Sequence, residues 1–173
     1  MFRDDGGVTL SRDLDAASLL AVTDVAERAR HLAQAAHAGQ FDKAGNDYYA
    51  SHLVDVCRRV VSYGGDAEEQ AAAWLHDVVE DTAVTELDLL GAGFPDKTLL
   101  MVHLMTKQAA EDPEVFYARL RAYEPARRLK LDADMASNSD PDRLALLDEM
   151  SQARLNAKYA KGKATAGAHH LSR

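Results

Sequence analysis

One imidazole and three carboxylates lie close together in the sequence, at His76, Asp77, Glu80 and Asp81. If this stretch is helical, at about 100° per residue, the four side chains share an arc of roughly 140°. The opposite wall of that helix is apolar and is formed by Ala71, Ala72, Trp74, Leu75, Val78 and Val79. Carboxylates this close repel one another, and a divalent Mn, Fe or Zn ion offsets the repulsion. The pattern indicates a metal site, with a solvated acidic helix face as the alternative.

Two further polar groups lie outside this stretch. His52 follows Tyr48-Tyr49-Ala50-Ser51 at the start of a predicted helix. Asp134 and Asn138 are four residues apart, so on a helix they share one face. Each group also has an ordinary structural explanation, as a solvated histidine at a helix start and as an asparagine at a helix end.

Taken together, these groups resemble the HD-domain metal-dependent phosphohydrolases, and among them the RelA/SpoT-type alarmone hydrolases, including the stand-alone small alarmone hydrolases. The segment most similar to the sequences of that group is Leu75-His76-Asp77-Val78-Val79-Glu80-Asp81-Thr82. The family order of His, His-Asp, Glu-Asp, and Asp followed by Asn one turn later is also present. The resemblance covers about residues 24–150 and contains no counterpart of a synthetase domain.

The resemblance implies a role for each of these residues. It makes His52, His76, Asp77 and Asp134 the ligands of one divalent metal, usually Mn²⁺, although Fe²⁺ or Zn²⁺ fits the same ligands. Glu80 and Asp81 become the candidates for activating the attacking water, with their individual roles left open. Asn138 contacts the substrate or orients the water. Two imidazoles and two carboxylates leave positions open for water and a phosphate oxygen.

A loop before His52 also follows the pattern of that group. The matching positions are His37, Gly39, Gln40, Lys43, Gly45, Tyr48 and His52. Lys43 is therefore expected to bind a phosphate as a point charge. The chain departs from the pattern at Asp42, where the group has an Arg, and at Asp47 and Leu53, where it has Pro. Later, Leu131 stands where the group has Lys, and Lys130 is one position out of register.

The elements that must position these residues are predicted to be helices. We expect an all-α, single-domain bundle of seven or eight helices, with a flexible arm over residues 1–11, an HD domain over 12–160 and a disordered tail over 161–173. Thr23 is predicted to cap a helix that runs to about His37. Single helices are predicted over 66–81, from Pro125 to about Asn138, and from the cap Asp140 onward.

Composition excludes several classes of function. The net charge of −8 and the pI near 5.3 argue against stable binding of nucleic acid. The single cysteine, Cys57, excludes an internal disulfide and a cysteine-based zinc site, and it is expected in the core. No apolar run approaches the length of a membrane span, and the N-terminus lacks a signal pattern. We expect a cytoplasmic protein for which a homo-oligomer is one compatible state.

Four functions are compatible with these observations. The leading one is a metal-dependent phosphohydrolase that acts on a small phosphorylated nucleotide and resembles a guanosine-3′,5′-bis(diphosphate) 3′-pyrophosphohydrolase. The same chemistry on another nucleotide is the second. A non-catalytic nucleotide-binding sensor is the third, and a plain helical interaction domain is the fourth.

Overall fold

The computed structural model describes residues 16–167, and within that range it contains helices but no β-strand. Two π-helical segments, Tyr49–Leu53 and Leu129–Asp134, are called here the first and second π segments. The helices are α1 (Ala16–Leu20), α2 (Val25–Ala36), α3 (Val54–Ser62), α4 (Ala67–Leu75), α5 (Val78–Asp81), α6 (Glu86–Gly91), α7 (Asp96–Met105), α8 (Pro113–Arg121), α9 (Glu124–Arg128), α10 (Met135–Asn138), α11 (Pro141–Leu144) and α12 (Glu149–Gly167). The all-α prediction is confirmed.

Helix α4 is the centre of the bundle and packs against α2, α3 and α7. Its last five residues, Ala71 to Leu75, are all buried, as expected for a helix that is apolar on every side. Leu32 of α2 and Met101 of α7 are at most 1% exposed in the same core. This packing fixes the C-terminal end of α4, and His76 and Asp77 follow directly after it.

Polar caps define where most of these helices start. Asp66 accepts hydrogen bonds from two amides of α4, and Thr85 forms a capping box with Asp88 at α6. Asp140 caps α11, as predicted. The cap of α2 is Asp24, not the predicted Thr23, because the Asp24 carboxylate accepts the amide of Glu27.

The predicted single helix over 66–81 is wrong, because α4 ends at Leu75 and α5 begins at Val78. The His76 imidazole donates from Nδ1 to the carbonyl of Ala73, at 2.8 Å. In an uninterrupted α-helix that carbonyl would accept the amide of Asp77. The break therefore coincides with the histidine side chain turning back onto its own helix.

The predicted last helix is also divided, and the number of helical segments in residues 16–167 exceeds the predicted seven or eight. Helix α11 ends at Leu144, and Asp148 then accepts the amide of Ser151 and so caps α12. Along the single helix predicted from Asp140 onward, Leu144 and Leu155 are buried, but Met150 is 82% exposed. The prediction of one helix was wrong because Asp148, a second capping residue, interrupts an otherwise periodic apolar sequence.

Residues 161–167 are helical, which corrects the expectation of a disordered tail beginning at residue 161. Packing against α8 explains the order: Arg121 donates to the carbonyl of Thr165, and Ala166 is 2% exposed. Gly162 lies against Tyr117 and Met135, where a Cβ would meet side-chain atoms at 2.6 Å. The predicted N-terminal arm, residues 1–11, and residues 168–173 lie outside the described residues.

Two expectations from composition can be compared with the fold. Cys57 is a buried, free cysteine, as predicted. No helix within residues 16–167 combines the length and the apolar character needed to cross a membrane.

Candidate active site

The structure brings His52, His76, Asp77 and Asp134 together at one point. The two imidazoles face each other through Nε2, 3.3 Å apart. Asp77 Oδ2 lies 2.9 Å from His76 Nε2 and 3.6 Å from His52 Nε2. Asp134 Oδ1 lies 3.5 Å from His52 Nε2 and 3.8 Å from His76 Nε2. Two imidazole nitrogens and two carboxylate oxygens, from residues up to 82 positions apart in the sequence, therefore lie close together.

These separations fit a shared divalent cation. With metal–ligand bonds of about 2.0–2.2 Å, neighbouring ligand atoms of an octahedral or tetrahedral site lie about 2.8–3.6 Å apart. Four of the five separations fall in that range, and the fifth, between His76 and Asp134, is slightly longer. His52, His76 and Asp77 form a group whose ligand atoms all lie within 4.8 Å of one another, and Asp134 approaches both histidines but lies outside that group.

All four residues lie where the backbone departs from a regular α-helix. His52 belongs to the first π segment and Asp134 to the second, each closed by an amide bonded to a carbonyl five residues earlier. His76 and Asp77 occupy the break between α4 and α5. Since π turns widen a helix locally and occur often at functional sites, they help the flanking helices direct these side chains inward.

The charge balance of the site also favours a cation. Burial disfavours the charged form of His76, but the carboxylates of Asp77 and Asp134 outweigh it and raise the pKa of His76 to about 10. Burial alone would raise the pKa of Asp77, but the histidines outweigh it and hold that pKa well below its usual range. Asp77 and Asp134 thus remain ionised beside a protonated His76, and a bound cation would take the place of that proton in balancing their charge.

Further side chains fix the two carboxylates. Tyr48 donates from its hydroxyl to Asp77 Oδ2 at 2.5 Å. Lys130 Nζ donates to Asp134 Oδ2 at 2.6 Å, and Asn138 Nδ2 donates to Asp134 Oδ1. Each oxygen that faces the histidines therefore also accepts a hydrogen bond, which holds its orientation.

Lys130 reaches Asp134 although the sequence places it one residue out of register with the resembled pattern. The two residues are the second and sixth of the second π segment. A π turn spans one residue more than an α turn, so it accommodates a lysine four rather than three residues before the aspartate. The site therefore contains a lysine, although Leu131 occupies the position where the resembled group has one.

Glu80 and Asp81 face the cavity beside this centre. Partial burial and the negative charge of Asp77 raise the pKa of both carboxyl groups. The backbone amide of Lys107 donates to Glu80 Oε1, and the side chain of Gln40 hydrogen-bonds Asp81. Both carboxylates are held in place with a raised proton affinity, as a general base requires.

A cavity of about 780 Å³ opens above the centre and includes Asp77, Glu80, Asp81, Asp134 and Asn138 in its wall. Five lysines from different parts of the chain line it as well: Lys43, Lys107, Lys130, Lys158 and Lys161. Burial and the charges of Lys43 and Lys130 lower the pKa of Lys158. The same wall carries six carboxylates, including Asp112 and Glu114, and Lys130 is paired with Asp134. The lysines that remain, above all Lys43 and Lys158, are the groups that can attract an anion into the cavity.

A smaller cavity of about 210 Å³ adjoins it, and the two share Lys43, Tyr48, Asn138 and Tyr159 in their walls. Asp42, where the resembled pattern has Arg, lines the smaller cavity and pairs with Arg143, which also lines it. The Asp42 carboxylate also accepts the amides of Ala44 and Asn46. Asp42 thus organises its loop and holds a guanidinium that arrives from α11.

The sequence missed several residues of this site. Arg143, Lys158 and Tyr159 lie beyond the motifs, on helices whose orientation the sequence does not give. The sequence identified Tyr48 as a matching position but did not predict its contact with Asp77. The basic residues that precede Asp134 do not all reach the site. Lys130 does, whereas Arg128 packs over the Tyr63 ring, 3.8 Å from its centre. His31 and His103, which follow no ligand spacing, instead approach Glu27 and Glu86.

The HD domain family model matches residues 29–135, more than half of the chain, including His52, the His76-Asp77 pair and Asp134. The chain belongs to the HD domain family. One similar protein, from Synechocystis sp., is named "Probable guanosine-3′,5′-bis(diphosphate) 3′-pyrophosphohydrolase" and is 41% identical over 71 residues, covering 41% of this chain. Another, from Mycobacterium leprae, is named "Probable GTP pyrophosphokinase" and is 36% identical over 83 residues, covering 48%.

The matched parts make up 9% and 10% of those two relatives, so this HD domain corresponds to about a tenth of their length. The resemblance to RelA/SpoT-type HD domains is confirmed. Arg143, α11 and α12 lie beyond the residues that the family model matches.

Proposed function

We propose that this HD domain is a metal-dependent phosphohydrolase that acts on a phosphorylated nucleotide. One observation supports the proposal: two imidazoles and two carboxylates, all of types that ligate metals, come together beside a cavity whose wall includes Asp77, Asp134 and five lysines. A metal site explains the imidazoles and acids, and a polyphosphate explains the lysines. A plain helical interaction domain would need neither.

In this proposal His52, His76, Asp77 and Asp134 hold one divalent cation. Mn²⁺ is the candidate that the resemblance favours, and Fe²⁺ or Zn²⁺ suits the same mixture of imidazole and carboxylate ligands. When bound, the cation supplies Lewis acidity toward water and toward a phosphoryl oxygen. Tyr48, Lys130 and Asn138 keep the two carboxylates oriented toward it.

One of the two carboxylates Glu80 and Asp81 accepts the proton of the attacking water, and the other orients the water or protonates the leaving oxygen. Their raised pKa values bring their proton affinity closer to neutral pH, and a positioned base of this kind contributes about 10²–10⁴-fold to rate. Asn138 lies between the two cavities and orients the water or contacts the substrate. Lys43 and Lys158 bind phosphate oxygens by charge.

The specific substrate that we propose is guanosine 3′,5′-bis(diphosphate), with loss of the 3′-pyrophosphate. The water oxygen forms a bond to phosphorus, and the bond from phosphorus to the 3′ ribose oxygen breaks. One water proton passes to the base, and the 3′ oxygen takes up a proton. GDP and pyrophosphate are the products. The name of the Synechocystis relative and the number of lysines at the cavity support this choice.

A different nucleotide substrate is the first alternative, and Asp42 favours it. This carboxylate and its partner Arg143 line the smaller cavity, where the resembled pattern has an Arg at position 42. A changed pairing of charges there changes which group the cavity accepts. A non-catalytic nucleotide sensor that keeps the same pocket is the second alternative.

Incubation of Mn²⁺-loaded protein with a nucleotide panel tests these proposals. The panel contains guanosine 3′,5′-bis(diphosphate), GTP, dGTP and GMP, and ion-exchange chromatography follows each compound. We expect GDP and pyrophosphate to appear in equal amounts while the other nucleotides persist. Loss of another nucleotide instead would select the first alternative. Tight binding by metal-loaded protein without turnover would select the sensor.

A further inference from the structure

The ring nitrogen of His52 that faces away from the candidate metal site is contacted by two polar side chains. Nδ1 lies 3.2 Å from Ser137 Oγ and 3.2 Å from Arg143 Nη1. His52 and Ser137 are both fully buried. This environment determines on which nitrogen His52 carries its proton.

His52 can ligate a metal through Nε2 only if its proton is on Nδ1, and a buried N–H needs an acceptor. Arg143 cannot be that acceptor, because a guanidinium only donates. Ser137 Oγ is able to accept. With Arg143 as its only neighbour, Nδ1 would instead accept a hydrogen bond, and the proton would move to Nε2, where a metal must bind.

The Ser137 hydroxyl is suited to this role because its own proton has another partner. Burial alone would raise the pKa of Asp55, but hydrogen bonds from Arg59 and Ser137 outweigh it and lower that pKa. Arg59 in turn bridges Asp55 and Asp140. A fixed carboxylate near Ser137 draws the hydroxyl proton away from His52, so the Ser137 oxygen can accept from His52 as it does from Arg143, at 3.1 Å.

We propose that Ser137, through its contact of 3.2 Å with Nδ1, is a positioning residue that holds His52 in the tautomer with its proton on Nδ1, ready to bind metal, and that Asp55 assists it by attracting the hydroxyl proton. The chain of contacts runs from the Asp55 carboxylate to the Ser137 hydroxyl and then to His52 Nδ1. Arg143 does not compete for Nδ1 while Ser137 is present, because the carbonyl of Ser51 and Ser137 Oγ accept the two hydrogens of its Nη1 at 3.0 and 3.1 Å. This proposal rests on the proposed metal site, and it assigns a function to residues that do not touch the metal.

Metal affinity of Ser137→Ala, measured by calorimetric titration with Zn²⁺ and Mn²⁺, provides the first test. We expect a 10–100-fold loss, the range typical of residues that orient a metal-bound histidine. Asp55→Ala should lose less, because Ser137 stays in place. Ser139→Ala is the matched control: it removes a hydroxyl two residues away that bonds the carbonyl of Met135, and its affinity should equal that of the wild type.

The tautomer itself provides the second test. Long-range ¹H–¹⁵N spectra of histidine-labelled protein distinguish a protonated from an unprotonated ring nitrogen, and His52→Gln assigns the signals. We expect the zinc-loaded wild type to carry the proton of His52 on Nδ1. In metal-free Ser137→Ala we expect the proton on Nε2. Thermal unfolding in EDTA establishes that each variant is folded.

The outcomes separate this inference from the proposed function. If wild type binds Zn²⁺ and Ser137→Ala binds it equally well with the same tautomer, the positioning role is wrong and the metal site stands. If wild type binds no metal, the proposed site itself fails. If Ser137→Ala unfolds in EDTA, Asp55→Ala and the wild-type tautomer decide the question.

Discussion

The packed core around α4 and the turns that carry the candidate metal ligands follow different rules. In the core, α2, α4 and α7 are regular α-helices with buried apolar faces. The site consists of two π segments and a helix break, each holding a buried imidazole or acid. The comparison teaches that stability and chemistry are separated here along the same helices, so changes in one region should leave the other nearly intact.

The largest expected effect comes from removing a ligand. Asp134→Ala should lose metal retention almost completely, by about 10³-fold or more in affinity, and activity with it. Because the change also removes the buried partner of Lys130, thermal unfolding in EDTA establishes that the variant is folded. Metal analysis by mass spectrometry after gel filtration measures the loss. Asp132→Ala is the control, since that aspartate lies in the same π segment but is exposed. Metal retained by Asp134→Ala would contradict the assignment.

Removing the candidate base should separate metal binding from turnover. Glu80→Gln should keep metal and lose about 10²–10⁴-fold in kcat, because the amide cannot accept the proton of water. Glu86→Gln, at an exposed position on α6, should retain full activity. Steady-state kinetics and metal analysis of the same samples measure both quantities. Full activity of Glu80→Gln would move the base to Asp81 or to another group.

A core variant should show the opposite behaviour. Leu32→Ala deletes a side chain that is 1% exposed in α2, and it should cost about 2–5 kcal/mol in the free energy of unfolding. The folded protein should bind metal normally. Leu87→Ala, at a residue that is 78% exposed, should change stability by less than about 0.5 kcal/mol. Urea unfolding in EDTA measures both. A large loss of metal affinity in folded Leu32→Ala would mean that the two regions are coupled.

The lysines proposed to bind phosphate predict an effect on substrate binding alone. Lys158→Ala should raise KM by about 10-fold with metal affinity unchanged, because one charged hydrogen bond to a phosphate is lost. Lys163→Ala, on the same helix but donating to Ser139, should keep the wild-type KM. An unchanged KM in Lys158→Ala would remove α12 from the proposed substrate site.

The smallest effect concerns a cap. The hydrogen bond from Lys97 lowers the pKa of Asp66, so the stability due to its carboxylate is present above pH 4 and is lost as pH falls through the lowered value. Asp66→Ala should cost about 1 kcal/mol at neutral pH and less in acid. Thermal unfolding of wild type and variant between pH 2.5 and 7 tests this. An equal difference at every pH would show that the charge of Asp66 contributes nothing.

The sequence predicted the core well because its signals are local. Apolar periodicity and the caps Asp66, Thr85 and Asp140 are short-range features, and the all-α class follows from them. The errors occurred where side chains compete with the backbone. His76 bonds the carbonyl of Ala73 and interrupts a helix that periodicity alone extends to residue 81.

For the site, the resemblance predicted which residues meet but not what supports them. His52, His76, Asp77 and Asp134 could be named from motifs, because motif order survives in the sequence. Their supporting contacts come from distant positions: Arg143 pairs with Asp42 across 101 residues, and Ser137 meets His52 across 85. Such contacts depend on how helices pack, and helix packing is not encoded in local spacing.

Anomalous X-ray diffraction from a crystal of Mn²⁺-loaded protein tests the central claim most directly. We predict one strong peak within about 2.0–2.4 Å of Nε2 of both His52 and His76 and of one carboxylate oxygen each from Asp77 and Asp134. A fully loaded crystal whose manganese lies elsewhere, or bonds only one of the two histidines, would contradict a single shared metal centre.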